Sequence, residues 1–298
     1  MSTSSIFHGL SAFPITPCAA DGRVEADGLV RLVSRLAEAG VDSIGLLGST
    51  GTYAYLSRTE RRRAIEIAVQ TVGRSVPVIV SAGALRTDEA EELARDAAAA
   101  GASGLLLAPM SYTPLSDEEV FQHIKAVAQA TCLPLCLYNN PATTHFTIGN
   151  TLIERLSKIE NIVAVKNPAV PAADMAAVLS PLRQMLPESF AIGYSGDWNA
   201  AGALLAGADA WYSVVGGLLP APALALTRAA QAADHAAVAR IDAQFQLLWS
   251  LFKELSSLRV MYAAAGILGL TRAEPPRPIL PLGKDDQRRV EQALDGLI

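Results

Sequence analysis

Lys166 stands in a setting that asks for a chemical explanation. The chain has five lysines, Lys125, Lys158, Lys166, Lys253 and Lys284, and four of them fall in helical or loop settings where a charged face is expected. Lys166 instead ends the apolar run Ile162-Val163-Ala164-Val165, which reads as a strand buried on both faces. An ammonium placed there is costly unless it is paired or deprotonated. A desolvated lysine amine is a nucleophile toward carbonyls and can form a Schiff base. The plainer alternative is a buried ion pair, for example with Asp197. Tyr138 ends the preceding run, Leu135-Cys136-Leu137, so its phenol is expected to open on the same face one strand away. A Schiff-base lyase must move protons between carbinolamine, enamine and leaving group, and a phenol can do this. A lone tyrosine at a strand end is more often packing; beside Lys166 the balance reverses.

Gly48-Ser49-Thr50-Gly51 reads as a tight turn carrying two hydroxyls. Its backbone N–H groups and hydroxyls could cradle a carboxylate, although a turn of this composition is common. Ser195-Gly196-Asp197 reads as a structural turn with Asp197 capping the next helix. No metal site is expected, because the strand ends offer one carboxylate, Asp197, and no histidine. No Ser-His-Asp arrangement is expected either, since His8, His123, His145 and His235 all fall away from the strand ends. Cys132 and Cys136, four apart around Pro134, read as buried thiols. Three cysteines in 298 residues form no disulfide framework.

The elements that must position these groups follow from periodicity. Short apolar runs recur at Leu10–Thr16, Ser43–Gly48, Val76–Gly83, Gly104–Pro109, Pro134–Asn140, Ile162–Asn167, Phe190–Gly196 and Asp209–Val215. Between them lie Ala-rich helical stretches near 26–39, 58–72, 87–100, 117–130, 149–158, 171–185, 198–206 and 218–231. Thr87-Asp88-Glu89 and Ser116-Asp117-Glu118-Glu119 place a hydroxyl cap before acidic first-turn residues. Gly40, Gly101 and Gly207 close helices as left-handed caps would. Eight strand–helix units predict an α/β fold, a closed (β/α)8 barrel over residues 1–225 with its reactive groups at the C-terminal strand ends. An open doubly wound sheet is disfavoured by the absence of G-x-G-x-x-G after the first strand. Residues 226–298 predict a C-terminal helical region, with helices near 234–255, 257–268 and 284–297 and a Pro-rich break at Glu274–Pro281, packed on the barrel as an appendage.

Composition excludes several classes. Hydrophobic residues make up 51% and charged residues 18%, which supplies a large core. A net charge of −5 leaves no cationic face for nucleic acid. No run of about 18 apolar residues predicts a membrane span, and Met1 to Leu10 carries no basic or apolar signal segment. A cytoplasmic protein is expected.

Taken together, Ala12-Phe13-Pro14-Ile15-Thr16-Pro17, Gly48-Ser49-Thr50-Gly51, Tyr138-Asn139-Asn140-Pro141, Val165-Lys166, Ser195-Gly196-Asp197 and Ala264-Ala265-Gly266-Ile267-Leu268-Gly269-Leu270 resemble the dihydrodipicolinate synthase and N-acetylneuraminate lyase superfamily of pyruvate-dependent class I aldolases. The resemblance runs from about His8 to Leu297. It implies that Lys166 forms a Schiff base with pyruvate or another 2-oxo acid, that Tyr138 donates and accepts the proton, and that Ser49 joins a hydroxyl relay. Thr50, with Gly48 in the same turn, would hold the substrate carboxylate, and the backbone at Tyr212 would line the same pocket. No cofactor and no metal are implied, and a homotetramer built as a dimer of dimers is.

Three positions depart from the pattern. Thr143 stands where the synthase has an arginine for the aldehyde's carboxylate. Ser111, with Tyr112 one residue later, stands where a relay tyrosine crosses the dimer. Thr52 replaces a common glutamate. The expected function is a Schiff-base lyase acting on a 2-oxo acid, as a catabolic aldolase or dehydratase. A true 4-hydroxy-tetrahydrodipicolinate synthase is the alternative, and a non-catalytic 2-oxo acid sensor is the rival from another class.

Overall fold

A computed structural model describes residues 6–298. The reading of the N-terminus as free of a signal segment concerns, at 1–5, positions outside the described residues. Eight strands, β1 (Gly9–Ala12), β2 (Ser43–Leu46), β3 (Val78–Ser81), β4 (Gly104–Leu107), β5 (Leu135–Tyr138), β6 (Ile162–Pro168), β7 (Ala191–Ser195) and β8 (Ala210–Ser213), pair in sequence order and close, β8 on β1. Every pairing is parallel. The predicted (β/α)8 barrel is therefore the fold. Helices α1 (Ala26–Ala39), α2 (Arg58–Val72), α3 (Thr87–Ala99), α4 (Asp117–Gln129), α5 (Pro141–Thr144), α6 (Asn150–Leu156), α7 (Ala172–Met185), α8 (Ala200–Leu205) and α9 (Pro220–Gln231) alternate with the strands. The C-terminal helices are α10 (His235–Gln244), α11 (Gln246–Leu255), α12 (Ser257–Ile267) and α13 (Lys284–Leu294).

Two apolar layers hold the barrel. Outward-facing strand residues such as Leu46, Val80, Leu107, Leu137 and Val165 pack under the helices in a cluster that extends to Leu294 and Leu297. Inward-facing residues fill the barrel itself: Phe7, Phe13, Leu106, Cys136, Tyr138, Ala164, Ala191, Ala210 and Tyr212. Cys136 and Tyr138, two apart on β5, share that inner face, as do Ala164 and Lys166 on β6. Small and large residues alternate there, so that the rings of Phe13 and Tyr212 fit against the alanines.

The apolar runs are longer than the strands they contain. The surplus residues, such as Phe13–Thr16 and Leu47–Gly48, turn over the barrel mouth while remaining buried. Ser116 caps α4 through a full capping box with Glu119, as its sequence predicts. Thr87 does not cap α3: Arg86 stands at the cap, and the Thr87 hydroxyl is drawn to His123 Nδ1 at 3.0 Å. Gly40 closes α1 in the left-handed region at φ 74°. The single helix expected over 234–255 divides at Phe245, whose N–H bonds the Asp242 carbonyl three residues back. That tightened turn stacks Phe245 on Trp249, with ring centroids 4.7 Å apart. Cys136 is buried as expected; Cys132 is exposed, because it lies in the loop between α4 and β5 rather than in the strand. Among the described residues, no helix is long and apolar enough to cross a membrane.

Candidate active site

Lys166 and Tyr138 are register partners on adjacent strands, so their side chains emerge side by side from the C-terminal end of the barrel. Both are almost fully buried. Two glycines make this possible. A Cβ at Gly45 would lie 2.2 Å from the Phe13 ring, and one at Gly193 would lie 2.4 Å from the Tyr212 ring. With those positions empty, both rings swing in against the lysine. Lys166 Nζ sits 4.0 Å from the ring centroid of Phe13, 4.7 Å from that of Tyr138 and 5.5 Å from that of Tyr212.

Lys166 forms no ion pair with Asp197. The Asp197 carboxylate is occupied elsewhere: Oδ1 accepts from Trp211 Nε1 at 2.9 Å and from the Val214 N–H at 3.2 Å, and Oδ2 accepts from the Val215 N–H at 2.7 Å. Asp197 therefore caps the turn after β8, not the helix that follows it in sequence. Burial lowers the Lys166 pKa below the ordinary lysine value, against the opposing influence of Tyr138, Cys136 and Asp197. Ring faces attract an ammonium by about 2 kcal/mol when desolvated, too little to offset removal from water. The free amine, the nucleophilic form, is thereby favoured. Below Lys166, inside the barrel, Cys136 Sγ lies 3.3 Å from Tyr212 Oη, and burial raises the Cys136 thiol to about 12.

Burial alone would raise the Tyr138 phenol. The neighbouring Lys166 and hydrogen bonds from Asn140, Ser49 and Thr143 outweigh it and hold the pKa below the usual tyrosine value. Asn140 Nδ2 donates to Tyr138 Oη at 2.8 Å, and Ser49 Oγ lies 3.2 Å from the same oxygen. The loop that carries Asn140 and Thr143 is pinned by the buried Asn139, whose amide donates to the Ile148 carbonyl and to Asn167 Oδ1 while its oxygen accepts from the Ile148 N–H. The turn carrying Ser49 and Thr50 is held between Leu47 and Thr52, both at positive φ (56° and 55°). Two non-glycine residues in that region mark stored strain. The Thr52 N–H bonding the Ser49 carbonyl and the Phe13 ring lying against Gly48 keep the turn in place.

These groups face a cavity of about 410 Å³, large enough for a small 2-oxo acid and a second reactant. Ser49, Thr50, Tyr138, Thr143 and Lys166 all line it. Gly48 and Tyr212 do not: Gly48 is covered by Phe13, and the Tyr212 side chain points into the barrel. Ser111 is not brought to the cavity either. Its hydroxyl bonds the Thr113 carbonyl, and the adjacent Tyr112 is exposed. Of the aromatics near the seventh and eighth strands, Trp198 lines the cavity, whereas Tyr194 and Trp211 pack in the core.

The sequence reading did not single out Phe13, Asn140 or the roof. That roof consists of Phe252, Ser256, Ser257 and Leu258 at the α11–α12 junction, where Ser256 takes a positive φ of 73°. The C-terminal helices are therefore more than an appendage, since they close the mouth of the barrel. Nothing in strand–helix alternation signals which turn of a later helix pair will fold back over the strand ends.

The low lysine pKa fixes a sign. Schiff-base formation, followed as borohydride-trapped adduct, is expected to rise with pH as Lys166 loses its proton, with a midpoint below that of an ordinary lysine. A midpoint at or above the ordinary value would contradict a desolvated amine.

A closed (β/α)8 barrel with a buried strand lysine beside a hydrogen-bonded phenol has the architecture of the class I lyases. The chain belongs to the dihydrodipicolinate synthetase family, which it matches over residues 6–297. It is thus a Schiff-base-forming lyase of the metal-independent kind, as that family is. It is 35% identical over 288 residues to the 4-hydroxy-tetrahydrodipicolinate synthase of Thioalkalivibrio sulfidiphilus, covering 95% of this chain and 94% of the relative. The crystal structure of dihydrodipicolinate synthase from Agrobacterium tumefaciens superposes with a TM-score of 0.98 at 56% identity over 100% of both chains. The chloride-inhibited dihydrodipicolinate synthase of Acinetobacter baumannii, solved with pyruvate, superposes with a TM-score of 0.89 at 30% identity, covering 98% of this chain and 100% of the other.

Proposed function

We propose that the chain joins or cleaves a carbon–carbon bond next to a 2-oxo acid, with pyruvate as the donor. The observation that carries this reading is the buried, unpaired Lys166 amine beside a Tyr138 phenol that Ser49 and Asn140 hold within hydrogen-bonding distance. Lys166 Nζ adds to the C2 carbonyl, and the carbinolamine loses water to give an iminium. The iminium withdraws electrons from C3, whose proton leaves to form an enamine. The enamine carbon then attacks an aldehyde, or in the reverse direction the C3–C4 bond breaks. Tyr138 relays the protons, with Ser49 in the relay, and Thr50 receives the carboxylate. A homotetramer and a cytoplasmic setting belong to the same proposal, the first resting on the family resemblance.

The names of the relatives favour 4-hydroxy-tetrahydrodipicolinate synthase for the second half of the reaction, ahead of a catabolic aldolase or dehydratase. One observation supports the other reading. Among the described residues lining the cavity, Lys166 is the single basic side chain, and position 143 offers a hydroxyl. Once Lys166 is bonded to pyruvate, a second carboxylate has no guanidinium to meet.

Steady-state assays of pyruvate with aspartate semialdehyde and with neutral hydroxyaldehydes, in wild type and Thr143→Arg, separate the two. If the cavity decides, the hydroxylated acceptors win in wild type. Thr143→Arg then raises kcat/KM for aspartate semialdehyde by about tenfold or more, as expected for a hydrogen bond to a charged group. Efficient use of aspartate semialdehyde by the wild type would establish the synthase reading instead.

A further inference from the structure

A second cavity, of about 300 Å³, lies outside the active site in the C-terminal region. Arg259 and Tyr262 of α12, Arg272 and Glu274 of the segment after it, and Leu282 before α13 line it. Neither Arg259 nor Arg272 has an ion-pair partner among the described residues. The contrast with α13 is direct: Arg288 is paired with Asp285, and Arg289 with Glu254 and Asp286. Two guanidiniums against the single carboxylate of Glu274 leave the lining with one uncompensated positive charge, in a chain whose net charge is −5. Planar guanidinium donors match the oxygens of carboxylates and phosphates.

The same helix serves both cavities. Ser257 and Leu258, at the start of α12, roof the active site, while Arg259 and Tyr262 face the second cavity. Tyr262 Oη donates to the Thr16 carbonyl at 3.2 Å. Thr16 in turn packs against Gly51, at the end of the turn that carries Ser49 and Thr50.

We propose that this cavity binds a small oxyanion, a carboxylate or a phosphate, and that its occupancy is felt at the active site through α12. The binding half stands independently of the proposed reaction; the effector half rests on the Schiff-base reading. Calorimetric titration of the full chain with inorganic phosphate and, separately, with succinate at constant ionic strength tests the binding half. Wild type and Lys166→Ala are expected to bind alike, and Arg272→Gln to bind about tenfold more weakly or worse. Binding of phosphate alone or of succinate alone supports the site and names the source of the anion.

For the effector half, a saturating anion is expected to shift the pyruvate concentration for half-maximal adduct trapping at least about twofold. Pyruvate must then shift the anion's affinity by the same factor. Binding of neither anion at millimolar concentration overturns the proposal. So does binding lost in Lys166→Ala, which would place the anion in the active site, or binding indifferent to both Arg272→Gln and Arg259→Gln. An anion that binds at the arginines and leaves pyruvate trapping unchanged overturns the effector role.

Discussion

Replacement of Lys166 by alanine is expected to reduce turnover by about 10⁴-fold or more, the scale on which loss of a covalent nucleophile is felt. The fold is expected to survive. Lys166 has no carboxylate partner to be orphaned, and removing a buried amine relieves a desolvation cost. What is lost is packing: Phe13, Tyr138 and Tyr212 each have a ring face against the amine. Far-UV circular dichroism and Tm close to those of the wild type, combined with absent turnover, would assign the loss to chemistry. Wild-type-like turnover in Lys166→Ala would end the Schiff-base mechanism.

Replacement of Tyr138 by phenylalanine is expected to slow turnover by about 10²–10⁴-fold, the usual worth of a positioned acid–base group, while the adduct with pyruvate still forms. The ring stays to pack against Lys166, but the hydroxyl that meets Asn140 and Ser49 is gone. Proton exchange at the pyruvate methyl group, read by NMR, should fall with turnover, because the same phenol would take the C3 proton. An unchanged rate would remove Tyr138 from the relay. The relay oxygen is better placed for this task than an ordinary tyrosine, since Lys166 and its hydrogen-bond donors hold its pKa below the usual value in spite of burial.

Much of this arrangement is legible in the sequence, because a parallel barrel turns chain order into spatial order. Once eight strands are read in sequence, neighbours in the chain are neighbours in space, and Tyr138 and Lys166 must meet. What the sequence withholds is the behaviour of residues beyond the strand ends. Phe13 reads as one apolar residue in a long run, yet it leaves β1 and lies over Gly45 and against Lys166. Asp197 reads as a local cap, yet its carboxylate reaches across to the turn after β8. Ser256 and Ser257 lie about ninety residues past Lys166, in a helical region whose periodicity describes its own packing and not what it covers.

The most direct measurement is mass spectrometry of the full chain after borohydride treatment in the presence of pyruvate, with peptide mapping. One reduced pyruvyl adduct per chain, located on Lys166, is the expected result. An adduct on another lysine, or none in a folded sample across pyruvate and a panel of larger 2-oxo acids, would contradict it.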